Sequence, residues 1–265
     1  MRAVILAAGR GSRLGVAGAD RPKGLVDLAG VPMIDRHIAV LRRAGIADIA
    51  IVTGFRADML VRDGVTLRHN PDWATTNMVE SLFCAEDLFH DDVIAAYADI
   101  VYEPRVIDVL IASPHEVSVI VDRAWRDYWA TRFDDPLADA ESLRLDERGC
   151  IVDIGNKVED IDRIEAQYIG LTRFRGAGID ALRAARAAWR TQRRPWMESR
   201  PIEKAYMTDL LMELILRNVA VHAVPVEGGW IEVDTPRDLE LASSLLAGEG
   251  PARLRESRRM AGVGA

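Results

Sequence analysis

Two sets of side chains in this sequence can do phosphate chemistry. Near its start, Gly9-Arg10-Gly11-Ser12-Arg13-Leu14 is followed by Arg21-Pro22-Lys23. Glycines let backbone N–H groups approach phosphate oxygens without obstruction, and Arg13 and Lys23 add fixed positive charge. The combination reads as a cradle for a triphosphate. Neither standard phosphate loop accounts for it. The dinucleotide fingerprint needs a third glycine where Leu14 stands, with Gly15 one position late, and the G-x-x-x-x-G-K-[ST] loop fails because Lys23 lies between Pro22 and Gly24.

The second set is acidic. In Trp230-Ile231-Glu232-Val233-Asp234 the two acids alternate, so on a strand both face one side and can reach one ion. Asp99 closes the apolar run Val93-Ile94-Ala95-Ala96-Tyr97-Ala98, at the strand end where ligands gather in open α/β sheets. Triphosphate chemistry calls for a hard cation on carboxylate oxygens, which makes Mg²⁺ the expected ion. A strand-end Asp can equally be a cap or loop residue, and Glu232 can equally pair with a surface cation.

Positioning these groups requires alternating strands and helices. Apolar strands are expected at Val4–Ala7, Ile49–Thr53, Val65–Leu67, Val93–Ala96 and Val117–Val121. Between them, Ile34, Ile38 and Leu41 share one helical face, as do Met78, Leu82, Ala85 and Phe89. Such alternation implies α/β architecture, a mostly parallel sheet flanked by helices. The second half is less regular. A hairpin is expected across Asp146-Glu147-Arg148-Gly149, helices at 178–190 and 202–216, and returning strands at 219–226 and 230–233. Thr235-Pro236-Arg237-Asp238 has the chemistry of a helix start.

The 265 residues suffice for one α/β domain with a small lobe. A composition 49% hydrophobic and 28% charged is that of a globular protein, and the net charge of −7 argues against a general nucleic-acid binder. No run approaches membrane-spanning length, and Cys84 and Cys150 read as reduced thiols, so a cytoplasmic protein is expected. From position 248 onward the chain has little periodicity and is expected to be a disordered tail.

Leu6-Ala7-Ala8-Gly9-Arg10-Gly11-Ser12-Arg13-Leu14 with Pro22-Lys23, continued by Gly30-Val31-Pro32-Met33-Ile34 and Ile51-Val52-Thr53-Gly54, resembles the signature of nucleotidyltransferases that activate sugar and alcohol phosphates. Further along, Asp122-Arg123-Ala124-Trp125, Trp129, Arg132, Asp139-Ala140-Glu141, Ile154-Gly155-Asn156-Lys157 and Gln167-Tyr168-Ile169-Gly170-Leu171 resemble the cytidylyltransferases associated with phosphoenolpyruvate mutase, which make CMP esters of phosphonates. The similarity runs from about Met1 to Leu246.

The resemblance implies a nucleotide-diphosphosugar-transferase-like domain over 1–247, with an acceptor-binding insertion at about 122–175. It implies catalytic roles for Arg13, Lys23 and Asp99, with Leu6, Ala8, Gly9, Gly11, Ser12, Asn77 and Ser81 at the nucleotide. Asp99, Glu232, Asp234 and Asp209 would hold Mg²⁺; Asp209 is also readable as a plain helix residue, and Asn77 as a plain N-cap. Asp122, Trp125, Arg132, Asp139, Lys157 and Gln167 would bind the acceptor, Arg132 and Lys157 as an anion clamp, although Trp125 and Trp129 also fit a core pair. The implied partners are CTP and a small phosphonate or phosphate, in a protein expected to dimerise. A phosphocholine or sugar-1-phosphate nucleotidyltransferase, a metal-dependent glycosyltransferase and a catalytically silent nucleotide sensor are the alternatives.

Overall fold

The computed structural model describes residues 1–192 and 201–247. Seven strands form one sheet in the order His222–Val226, Val117–Asp122, Gln167–Arg175, Asp92–Tyr97, Arg2–Ala7, Asp48–Thr53, Val65–His69. All neighbours run parallel except Gln167–Arg175, which is antiparallel to both strands beside it. The central strands read as unbroken apolar runs because both of their faces are covered. Ala3, Ile5, Ile49 and Ile51 point into one core layer, while Val4, Ala50 and Val52 point into the other.

Helices α1 (Met33–Arg43), α3 (Pro104–Ala112), α4 (Trp125–Arg132) and α7 (Pro236–Leu246) contribute to the first layer. The second takes α2 (Met78–Phe83), α5 (Ala177–Gln192) and α6 (Met207–Leu216). The expected helix over 202–216 is broken into a short turn at Ile202–Lys204 and α6 proper. Thr235 caps α7 in a reciprocal box with Asp238. The hairpin expected around Asp146–Gly149 forms between Leu143–Leu145 and Ile151–Ile154. Gln167–Arg175, which the sequence reading assigns to the acceptor lobe, is a central strand of the sheet, so the excursion ends before it. The tail from 248 lies outside the described residues. Among the described residues, no helix is long and apolar enough to cross a membrane.

His37 on α1 is buried with its ring edge-on to Tyr102, and burial drives its pKa down to about 4. Between this value and the ordinary 6.5, the unfolded chain takes a proton that the folded chain refuses. The stabilisation is therefore complete above pH 6.5 and is lost as pH falls to 4, by about 3 kcal/mol in all. In urea titrations across that window, His37→Phe should flatten the pH dependence by about this amount; equal slopes in the two proteins would contradict it.

Candidate active site

The Arg2–Ala7 strand opens into the glycine loop at its C-terminal end. Gly11 has a φ of +71°, and a Cβ there would lie 2.8 Å from the Cβ of Lys23. Glycine is thus needed for the backbone conformation and for the close approach of the Lys23 segment. Buried Gly24 and Leu25 anchor that segment and leave the Lys23 ammonium pointing at the acids. Its Nζ donates to Asp99 at 2.6 Å and also to Asp234. Arg13, two-thirds exposed, reaches Asp234 from the solvent side at 2.9 Å.

A two-stranded ribbon brings the acids together. Asp99 lies between the Asp92–Tyr97 strand and Ile100–Tyr102, which pairs antiparallel with Trp230–Glu232 so that Ile100 faces Glu232. The Val233 amide donates to the Asp99 carbonyl at 2.9 Å and locks the register. Asp99, Glu232 and Asp234 each offer a carboxylate oxygen, and the three oxygens lie within 4.8 Å of one another. Burial opposes the charge on Lys23, but Asp99 and Asp234 outweigh it and raise its pKa. Burial likewise opposes ionisation of Asp99, and Lys23 overcomes it and holds the carboxyl below its ordinary value. Glu232 responds the other way. Burial, with Asp234 and Asp99 beside it, pushes it up to about 7 against the pull of Arg132.

Four expected site residues are placed elsewhere. Asp209 is fully buried at the third position of α6, where its side chain accepts from the Tyr206 amide at 2.7 Å in a capping box. The helix start claims this acid, and it lies outside the carboxylate cluster. Asp122 is buried too. It accepts from the Trp230 indole at 2.8 Å and the Gly228 amide at 2.9 Å, so it fastens the loop preceding the acidic strand. Trp125 is core, edge-on to Trp129 with ring centroids 5.8 Å apart.

Arg132 does not reach an acceptor. Its side chain is 1% exposed and bonds Glu232 at 2.6 Å and Asp238 at 2.9 Å, tying α7 to the acidic strand. It therefore positions a candidate metal ligand. Arg132→Met should lower stability by about 3 kcal/mol or more, because it leaves buried carboxylates unpaired. Chemical denaturation measures this, and a stable variant with only a raised acceptor KM would restore the clamp reading.

Two cavities meet at the charged cluster. The first is lined by Leu6, Ala8, Gly9, Lys23, Asn77, Ser81 and Asp99, joined by Trp73 and Thr76. Asn77 also caps α2, accepting from the Met78 amide, while Glu80 in the same first turn pairs with Arg186 at 3.0 Å. Gly11 and Ser12 are not among the lining residues. The second cavity is lined by Arg13, Glu232 and Asp234 together with Asp139, Glu141, Lys157 and Gln167. Gln167 grips the Glu141 backbone, donating to its carbonyl at 2.6 Å and accepting from its amide at 3.2 Å. Asp139 accepts from the Trp129 indole at 3.2 Å. Sequence reasoning missed Trp73, Tyr97, Tyr206 and Thr208 in these walls. Only Tyr97 carried a signal: it stands two residues before Asp99 at the end of the same apolar run.

The paired cavities, with cations and carboxylates at their junction, suit joining two anionic substrates. Comparison with known proteins agrees in family. A family model for the MobA-like NTP transferase domain matches residues 3–155. The chain is 37% identical over 253 residues to the CTP:phosphoglutamine cytidylyltransferase of Campylobacter jejuni, covering 91% of this chain and 98% of that protein. It is 35% identical over 135 residues to the CMP-5'-(3-aminopropyl)phosphonate synthase of Streptomyces rubellomurinus, a match covering 48% of this chain and 21% of that longer protein. In fold it is similar to the CTP:phosphocholine cytidylyltransferase of Streptococcus pneumoniae, with a TM-score of 0.67 and 20% identity over 92% of this chain and 98% of that one. The architecture is that of the nucleotide-diphosphosugar-transferase-like fold, and the chain belongs to the MobA-like NTP transferase family, as a nucleotidyltransferase.

Proposed function

We propose that this protein is a magnesium-dependent cytidylyltransferase that transfers CMP from CTP to an anionic oxygen of a small phosphonate, releasing pyrophosphate. One observation carries the reading: a single charged cluster spans the two cavities, with Lys23 and Asp99 in the wall of the first, Glu232 and Asp234 in the wall of the second, and Lys23 bonded to Asp234 between them. CTP occupies the first cavity, with its phosphates toward Gly9, Arg13 and Lys23. The acceptor occupies the second, with its anion toward the cluster and any cationic group toward Asp139 and Glu141.

The acceptor oxygen attacks the α-phosphorus in line, the bond from that phosphorus to the bridging oxygen breaks, and pyrophosphate carries away the charge. A phosphonate oxygen is already ionised at neutral pH, so alignment and charge neutralisation do the work of a general base. Lys23 and Arg13 supply part of that neutralisation. Asp99, Glu232 and Asp234 would hold Mg²⁺, and the residues fit it: buried Asp99 Oδ1 has no hydrogen-bond partner among the described residues. A bound Mg²⁺ supplies charge neutralisation at the α-phosphate and the leaving pyrophosphate.

A second acceptor is favoured by the near-full-length similarity to the phosphoglutamine enzyme. A phosphorylated amide bearing an amino acid head would set its ammonium against Asp139 or Glu141 and its carboxylate against Lys157. Pyrophosphate release with CTP, Mg²⁺ and a panel of aminoalkyl- and hydroxyalkylphosphonates, phosphocholine, phosphoglutamine and sugar 1-phosphates decides between them. Turnover selective for one phosphonate supports the first reading and selective turnover of phosphoglutamine the second. Turnover of sugar 1-phosphates alone overturns both.

A further inference from the structure

Behind the nucleotide cavity lies a polar network in which every donor but one has a fixed direction. Asn70 follows the Val65–His69 edge strand, is 2% exposed, and is anchored by its own amide on the Thr53 carbonyl at 2.8 Å. The Asp72 amide donates to Asn70 Oδ1 at 3.0 Å. A backbone N–H can only donate, so this bond fixes which end of the amide is oxygen. Asn70 Nδ2 must then face the two hydroxyls, donating to Thr76 Oγ1 at 2.9 Å and Ser81 Oγ at 3.0 Å. Thr76 passes its own proton to the Asp72 carbonyl at 2.9 Å. Ser81 differs. Asn70 takes one lone pair of the serine oxygen, and among the described residues its proton has no acceptor of its own. The side chain lines the same cavity as Ala8, Trp73, Asn77 and Lys23, and with the phosphates held at Lys23 the nucleoside would lie against it.

We infer that Asn70 is a specificity-determining positioning residue, which takes one lone pair of the Ser81 hydroxyl and leaves its proton to be donated toward N3 of the nucleobase. Cytosine presents a lone pair at N3, whereas uracil presents an N–H there. Against uracil the hydroxyl must accept from N3–H with its second lone pair, which leaves its own proton buried and unpaired, and a site built around one hydrogen bond rejects the wrong partner for that reason. This inference rests on the cytidylyltransferase reading and names the device that would select the base.

The test is the ratio of kcat/KM for CTP to that for UTP. In Asn70→Asp the carboxylate still accepts from the Asp72 amide but now accepts from Ser81 as well, so the serine oxygen offers lone pairs to the cavity. The ratio should fall by about tenfold or more, through gain with UTP as well as loss with CTP. Damage to the fold alone lowers both nucleotides together and leaves the ratio unchanged. If the wild-type enzyme prefers CTP and Asn70→Asp keeps that preference within twofold, the inference is wrong while the enzyme reading stands. A wild-type enzyme indifferent to the base would remove the reading and the inference with it. Should Asn70→Asp fail to accumulate, Ser81→Ala carries the same test: it must erode the ratio, and an unchanged ratio overturns the donor role.

Discussion

Lys23→Ala should cut turnover by about a thousandfold or more while the chain stays folded. Lys23 lines the first cavity, and its Nζ is bonded to Asp99 at 2.6 Å and to Asp234, which lines the second. Its side chain is 13% exposed, so its charge is little screened, and the acids keep it protonated across the working pH range. In the ligand-free protein the ammonium offsets the repulsion among three carboxylates. With a triphosphate present, the same charge faces oxygens whose negative charge rises as pyrophosphate leaves. Removing it therefore costs most in the transition state, and kcat should fall further than nucleotide affinity. Single-turnover pyrophosphate release gives the rate, and circular dichroism checks the fold. A rate within tenfold of wild type would take Lys23 out of the chemistry.

The second large effect is expected at Asp99. One of its oxygens takes the Lys23 bond, and the other is buried without a partner among the described residues. An unsatisfied buried carboxylate oxygen costs stability unless a ligand uses it. Asp99→Asn keeps the shape and removes the charge. Activity should drop by about a thousandfold at ordinary magnesium concentrations, and the variant should need more Mg²⁺ to reach its own maximum. Removing the metal with EDTA should silence the wild-type enzyme to the same depth, with recovery on re-addition. A magnesium titration of both proteins checks this; coincident curves would show that Asp99 does not serve the ion.

Much of this site was legible because its signals are local. A strand running into Gly9 and Gly11 can be read without the fold, and alternation put Glu232 and Asp234 on one side before any partner strand was known. Asp99 was legible from the end of its apolar run. The acceptor side was harder to read, because spacing does not distinguish a polar group lining a cavity from one sealed into the core. Arg132 has the charge of an anion clamp but spends it on Glu232 and Asp238. Asp122 is committed to the Trp230 indole, and Asp209 to the start of its own helix. In each case a long-range or capping partner decided the role. Trp73 is the converse: it reaches the nucleotide cavity from a loop after an edge strand, and its packing against Gly54, where a Cβ would collide with it, has no local sequence signal. The strand Gln167–Arg175 reads as part of the lobe for a similar reason, since only the sheet order shows that it lies between Val117–Asp122 and Asp92–Tyr97.

The central claim is that the α-phosphorus of CTP moves to an acceptor and the β- and γ-phosphates leave together. The most direct measurement follows label from CTP marked at the α or the γ phosphate, with Mg²⁺ and the acceptor panel. The account predicts α label in a new CMP ester and γ label in pyrophosphate, in equal amounts. Label from the γ position on the acceptor, or CTP left intact with every acceptor, would contradict it.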